Sequence, residues 1–242
     1  MSLAGWSALV TGASRGIGLE IARALRSEDV RLLLTARDTP RLASAAAETG
    51  GVAVPADLER PEEAQRLADT VLGELGGAPD IVVNNAGVFS LARVHETEPA
   101  ELERQLRVNL LAPFVLVRAF LPSMLARGDG HLVHIGSSAG SRPYPESGVY
   151  CITKYGLRGL HEVLELELAG TGVRTTLIET GSVDTGIWDP FQERLGVDLP
   201  RREHMLSSGL VADAVIRALR SRHMGAITDV GAITDVSAPP TT

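Results

Sequence analysis

Thr11-Gly12-Ala13-Ser14-Arg15-Gly16-Ile17-Gly18 is the stretch on which the fold turns. An apolar run over residues 6–10 enters it and an amphipathic pattern over 17–27 leaves it, so the glycines stand where a strand becomes a helix. Glycines there permit a tight turn and let a pyrophosphate approach the backbone, whose N–H groups and helix dipole face the negative charge. The spacing is G-x-x-x-G-x-G, not the commoner G-x-G-x-x-G, and its place directly after a strand points to a nucleotide.

Outward from this turn the chain alternates. A second strand, 30–35, ends in Ala36-Arg37-Asp38, where an NAD-binding chain places an acid against the ribose 2′-hydroxyl. Arg37, with Arg15 from the turn, instead suits the extra phosphate of NADP, while Asp38 keeps NAD open. A third strand, 51–55, leads to Asp57, which either hydrogen-bonds the adenine or caps the helix that begins near Pro61. That helix, 61–73, returns to a strand at 80–83 that ends in Asn84-Asn85-Ala86-Gly87, amides at the carboxyl edge where open α/β sheets bind ligands.

A long helix follows over 99–127, with an irregularity expected near Pro113. It carries Asn109 among Val108, Leu110 and Leu111, either as a satisfied structural amide or as part of a site. A fifth strand, 131–135, ends in Gly136-Ser137-Ser138-Ala139-Gly140, whose serines also suit a turn cap. Then come a loop over 141–149, a helix from Tyr150 to about 169, a strand over 173–178 and a last helix over 211–220. Residues 186–208, with Trp188, Pro190, Phe191, Gly196 and Pro200 in a polar background, suit a lid over a substrate. Gly225-Ala226-Ile227-Thr228-Asp229-Val230 is repeated at once over 231–236, and either copy can supply a seventh strand; 237–242 is expected to be a disordered tail. The alternation predicts one α/β domain over 1–242, a doubly wound, mostly parallel sheet of about seven strands with helices on both faces.

Tyr150 and Lys154 stand four apart, on one face of a helix and one turn from each other. Lys154 is the only lysine among 23 basic residues. An ammonium beside a phenol favours phenolate and is expected to lower the tyrosine pKa from about 10, so that it exchanges protons with an alcohol or carbonyl. Arginine's wide planar fork serves that role less well than a compact amine.

A chain of 242 residues, 44% of them hydrophobic, has ample material for one large core. A net charge of -7, with arginines scattered among acids, argues against nucleic acid and for a small-molecule partner. One cysteine, no apolar run near the ~20 residues that span a bilayer and no basic-then-apolar leader lead to the expectation of a soluble, cytoplasmic protein away from membranes. His131 and His134 have the most ligand-like spacing of six histidines, yet they sit on an apolar strand, so no metal site is assigned.

Glycine turn, NNAG stretch, helical asparagine, strand-end serine and Tyr-x-x-x-Lys, in this order, make the chain resemble the short-chain dehydrogenase/reductase family over about residues 3–220. The resemblance implies a single-domain Rossmann fold. It implies cofactor contacts from Gly12, Ser14, Arg15, Gly16, Ile17 and Gly18, from Asp57 at the adenine, from Asn84, Ala86 and Gly87 beside the ribose, and from Val183 and Thr185 at the nicotinamide. Asn109, Ser137, Tyr150 and Lys154 match the family's catalytic four, Ser137 being preferred to Ser138 because it lies thirteen residues before the tyrosine. Thr180-Gly181 stands where the family usually has Pro-Gly, which is expected to loosen the turn before Val183.

The implied reaction is hydride transfer between NADP, or NAD, and a small ketone or secondary alcohol. Tyr150 acts as acid or base, Ser137 holds the oxygen, Lys154 lowers the Tyr150 pKa and binds ribose, and Asn109 orders a water. A homodimer or homotetramer is the family expectation. The alternative is a cofactor-binding regulator without turnover, and a nucleotide-sugar epimerase fits less well because little chain follows residue 180. Cys151 points about 100° away from Tyr150 on the helix and reads as a small packed residue. Tyr144, Pro145, Trp188 and Phe191 are candidates for the pocket wall, and the substrate itself is not legible.

Overall fold

Leu9, Leu33, Val82 and Leu132 belong to one hydrophobic core, and their chain neighbours Val10, Leu34, Val83 and Val133 to another. Alternate residues of a strand point to opposite faces, so two cores interleaved at a period of two mean a sheet covered on both sides. A computed structural model describes residues 2–191, 200–221 and 225–230. Its strands are β1 (Ser7–Thr11), β2 (Arg31–Thr35), β3 (Val52–Ala53), β4 (Ile81–Asn84), β5 (Gly130–Ile135), β6 (Val173–Thr180) and β7 (Gly225–Val230). They form one parallel sheet in the order β3-β2-β1-β4-β5-β6-β7. The chain winds outward from β1 to β3 and then crosses back to lay β4 beside β1. That reversal opens a crevice at the carboxyl ends of β1 and β4, where such sheets bind ligands.

Helices α1 (Gly16–Ser27), α2 (Thr39–Thr49) and α7 (Ser208–Ser221) supply the core on one face. Helices α3 (Pro61–Leu75), α5 (Ala112–Arg127) and α6 (Gly148–Glu167) supply the other. In α1 the buried residues Gly18, Ile21, Ala22 and Leu25 follow the 3.6-residue period and form one inward stripe. The expected fold class is the one observed.

Three elements differ from expectation. Helix α2 was not anticipated, because residues 39–49 are mostly small and give little apolar contrast. Its ends are nevertheless marked: the Asp38 carboxylate accepts from Arg41 N (3.1 Å), and Gly50 closes the helix in the left-handed region, φ 68°. The third strand shrinks to two residues. Helix α4 (Pro99–Leu106), a π-helical segment at Arg107–Leu111 and α5 run on as one 29-residue helix. By length and composition it could cross a bilayer, contrary to the sequence-based count of apolar runs, but here it packs against α3 and β5.

The irregularity expected near Pro113 falls just before it, around Asn109. Pro113 has no N–H, so the carbonyl of Asn109, four residues earlier, has no α-helical donor. The chain relaxes into the wider π turn, and the Ala112 N–H reaches back to Arg107 O. Of the two hexapeptide copies the first forms β7 against β6, with an irregularity between Ile178 and Thr180. The second copy and the 237–242 tail lie outside the described residues, as does 192–199 of the expected lid.

Candidate active site

Two glycines of the turn are required by close approach. A Cβ on Gly18 would lie 2.3 Å from Gly12 O, and one on Gly12 would lie 2.9 Å from Ala86 Cα. Helix α1 can therefore start only because neither side chain exists. A second device locks the turn to the NNAG stretch. Thr11 Oγ1 accepts from the backbone N–H groups of Asn85 (2.9 Å) and Ala86 (3.0 Å), and Asn85 Nδ2 donates to Thr11 O (2.8 Å). No side chain caps α1 and its first turn carries no acid, so the helix N-terminus faces the crevice with its partial positive charge unopposed. A cradle of this shape and donor chemistry fits the pyrophosphate of a dinucleotide.

The acidic and basic candidates separate. Asp38 is the N-cap of α2 and is ion-paired to Arg41 (3.3 Å), which engages it away from a ribose. Arg37 pairs with Glu59 (2.5 Å). Arg15 does not join it, because a Cβ on Gly186 would lie 2.9 Å from the Arg15 guanidinium, which places that group over the segment after β6. The expectation that both arginines hold one phosphate is thus replaced by Arg37 on one side and Arg15 on the other. Asp57 does not cap α3, whose N-cap is Arg60; its carboxylate accepts from Glu59 N (3.2 Å) in a local turn. Asn84 is buried, its Nδ2 meeting His134 Nδ1 at 3.3 Å while its Oδ1 has no hydrogen-bond partner among the described residues.

The catalytic candidates come together at the carboxyl ends of β4 and β5. Gly140 lets the turn after β5 settle on α6, since a Cβ there would lie 2.9 Å from Lys154 O. Lys154 is 5% exposed, its Nζ donates to Ile135 O (2.9 Å), and it stands 5.5 Å from the centre of the Tyr150 ring. Burial brings its pKa down to about 8. Asn109 is buried on the π turn: Oδ1 accepts from Val88 N (2.8 Å), and Nδ2 donates to Val88 O (2.9 Å) and to Thr153 Oγ1 (3.0 Å). Thr153 in turn donates to Tyr150 O (2.8 Å), so the asparagine holds both the segment after NNAG and the tyrosine helix. Ser138 accepts from the Tyr144 hydroxyl (3.0 Å), whereas Ser137 Oγ accepts from Ala139 N (3.1 Å) and is the side chain that favours the ionised form of the Tyr150 phenol, which separates the two serines.

One expectation is corrected. Burial pushes the Tyr150 phenol up to about 12, opposed by the hydrogen bond to Ser137, and Lys154 does not pull it down. The amine is directed at the Ile135 carbonyl and lies over the ring, not at the phenol oxygen.

After β6 the missing proline has a different consequence from the one expected. Thr180 extends β6 and is buried, pairing with Val230, a place where proline would remove a ladder donor. Beyond it the segment is held firmly: Leu206 N donates to Ser182 O and Asp184 N to Leu206 O, both at 2.9 Å, and Val183 is buried. Thr185 rests on the glycine turn, its methyl 3.2 Å from where a Gly16 Cβ would stand. Trp188 and Phe191 meet Phe89, whose ring centre lies 5.3 Å from each and 4.9 Å from Tyr150. Pro145 and the exposed Tyr144 are not part of that cluster.

Sequence reasoning placed Thr11 in the glycine turn and Asn85 in the NNAG stretch without a role of their own, and missed Thr153 and Phe89. Phe89 sits two residues after the NNAG stretch and Thr153 inside the Tyr-to-Lys window, which was the only available signal. The two strand histidines face opposite sides of the sheet, as a spacing of three on a strand requires. His131 meets Thr176 (2.8 Å), and burial lowers it and His134 to about 3. Cys151 is buried.

Residues 7–196 match the short chain dehydrogenase family. Ketoacyl reductase HetN of Nostoc sp. is 32% identical over 246 residues, 97% of this chain and 82% of that protein. An uncharacterized oxidoreductase of Staphylococcus aureus (strain MRSA252) is 33% identical over 215 residues, 88% of this chain and 90% of its own. A metagenomic short-chain oxidoreductase solved in complex with NADP superposes with a TM-score of 0.78 at 34% identity, over 94% of this chain and 97% of that one. With this match across the glycine turn, the NNAG stretch and the Tyr-Lys helix, the chain belongs to the short chain dehydrogenase family and is an NAD(P)-dependent oxidoreductase.

Proposed function

We propose that the protein is an NADP-preferring reductase that interconverts a small ketone and its secondary alcohol, with Tyr150 as the proton-exchanging group. The observation that carries this reading is the gathering of Ser137, Tyr150, Lys154 and, through Thr153, Asn109 beside the glycine turn. When bound, the dinucleotide supplies a hydride in reduction and accepts one in oxidation. Tyr150 gives its proton to the carbonyl oxygen in reduction and takes it back in oxidation. Ser137 orients that oxygen and stabilises its developing charge, Lys154 holds ribose hydroxyls, and Asn109 fixes the distance between the two halves of the site. A phenol kept neutral by burial is in the right form to act as the acid. The preference for NADP is supported by the exposed Arg37 at the end of β2, which a 2′-phosphate would have to draw from its surface pair with Glu59, and by the engagement of Asp38 as a helix cap.

The test is NADPH and NADH oxidation by the purified protein over a broad ketone and aldehyde panel, with Tyr150→Phe beside it. The variant should lose roughly a thousandfold in kcat while binding NADPH as before. Equal turnover by both proteins would remove Tyr150 from the chemistry, and turnover by neither would return the chain to the alternative of a dinucleotide-binding regulator. We further propose a homodimer or homotetramer, supported by an apolar groove lined by Leu106 of α4, Leu110 and Leu111 of the π-helical segment, Phe114 of α5 and Leu160 of α6.

A further inference from the structure

The chain has nine aromatic residues, four Phe, three Tyr and two Trp, and four of them meet at one place. Phe89 stands at the centre, with Tyr150, Trp188 and Phe191 around it at interplanar angles of 74°, 65° and 72°. All three pairs are edge-to-face, the arrangement in which a positive ring edge meets a negative ring face. The polar tips nearby are already engaged. Trp188 Nε1 donates to Val183 O (3.0 Å) and Tyr144 to Ser138 (3.0 Å), while Asp184 and Asp189 are both ion-paired with Arg202. Among the described residues, the Phe89 ring lies against that of Tyr150, Trp188 and Phe191 lie against Phe89, and Ser137 is the polar neighbour of the phenol.

Building on the function proposed above, we infer that the substrate class is an uncharged aryl ketone, its ring seated among Phe89, Trp188 and Phe191 and its carbonyl at Ser137 and Tyr150. Reduction balances simply: the carbonyl carbon gains the hydride that the reduced dinucleotide supplies, the oxygen gains the Tyr150 proton, and a benzylic alcohol leaves. A saturated ring of equal size fills the same space but has neither a positive edge nor a negative face, so it forfeits the edge-to-face pairs.

The experiment compares kcat/KM for acetophenone, cyclohexyl methyl ketone and acetoacetyl-coenzyme A with NADPH, in the wild type, Phe89→Leu and Trp188→Leu. Two leucine variants on separate segments guard against one failing to fold, and NADPH binding reports folding of each. The wild type is expected to favour acetophenone over its saturated counterpart by roughly tenfold, and the ratio is expected to fall toward one in either variant. A wild-type ratio near one, a ratio unchanged in both variants, or a higher kcat/KM for the thioester overturns the inference. Absence of turnover with every carbonyl would sink the proposed activity instead. The pocket is then read by saturable change of tryptophan fluorescence, where tighter binding of acetophenone than of the cyclohexyl ketone sustains it and equal or absent binding overturns it.

Discussion

Lys154 shows how much a single side chain can be constrained by its place. Burial moves its pKa to about 8 from a usual value near 10.4, so holding the ammonium inside costs about 3 kcal/mol at neutral pH. That cost is complete below pH 8, shrinks as the pH climbs toward the unfolded value, and is gone above it. Tyr150 acts in the opposite sense, since a raised phenol pKa removes stability only above pH 10. Denaturant unfolding of the wild type should therefore gain about 3 kcal/mol on Lys154→Met between pH 7 and pH 10; parallel curves for the two proteins would mean that the amine is hydrated. Lys154, Tyr150, Ser137 and Asn109 were legible in the sequence because their chemistry is uncommon in that order. The particular roles of Thr11, Asn85, Thr153 and Phe89 were not, since these are ordinary residue types whose importance lies in what they touch across 44 to 102 positions of chain.

Among the elements, the long helix carries a deliberate fault. Without an N–H at Pro113 the π turn widens the helix under Asn109 and aims its amide at Val88 and Thr153. Pro113→Ala restores the donor and favours an ordinary α turn, which swings the asparagine out of line. We expect melting temperature to hold or rise while kcat falls by roughly tenfold or more, because sites held to within ~0.5 Å tolerate little displacement. A variant with unchanged kcat would leave the π turn without a role in turnover. The sequence signalled a disturbance through the proline but misplaced it, because the effect of a missing N–H is felt one turn earlier. Helix α2 was illegible for another reason: its residues are small, and what identifies it are the cap at Asp38 and the stop at Gly50, not its faces.

For the molecule as a whole, the parallel sheet and its layering were readable because alternating apolar strands and amphipathic helices leave few arrangements, while the strand order came from the structure. Association was not, since it depends on which apolar residues stay outside. Phe114 is 48% exposed beside Leu110 and Leu111, and Phe114→Arg should convert the assembly to smaller species in sedimentation at unchanged NADPH affinity. A wild type that already sediments as a monomer would dismiss the assembly outright. The substrate lies further still from the sequence, because the aromatic cluster that reaches Tyr150 through Phe89 is drawn from segments nearly a hundred residues apart, at Phe89 and Trp188. One more property belongs to the chain entire. With arginine at every other Lys/Arg position, the protein possesses a single side-chain amine, and that amine is buried on the Ile135 carbonyl beside Tyr150. Reagents that acylate lysine thus find no competing side-chain amine, so acylation mapped to Lys154, apart from that of the α-amine, becomes a direct gauge of how often this buried pocket opens.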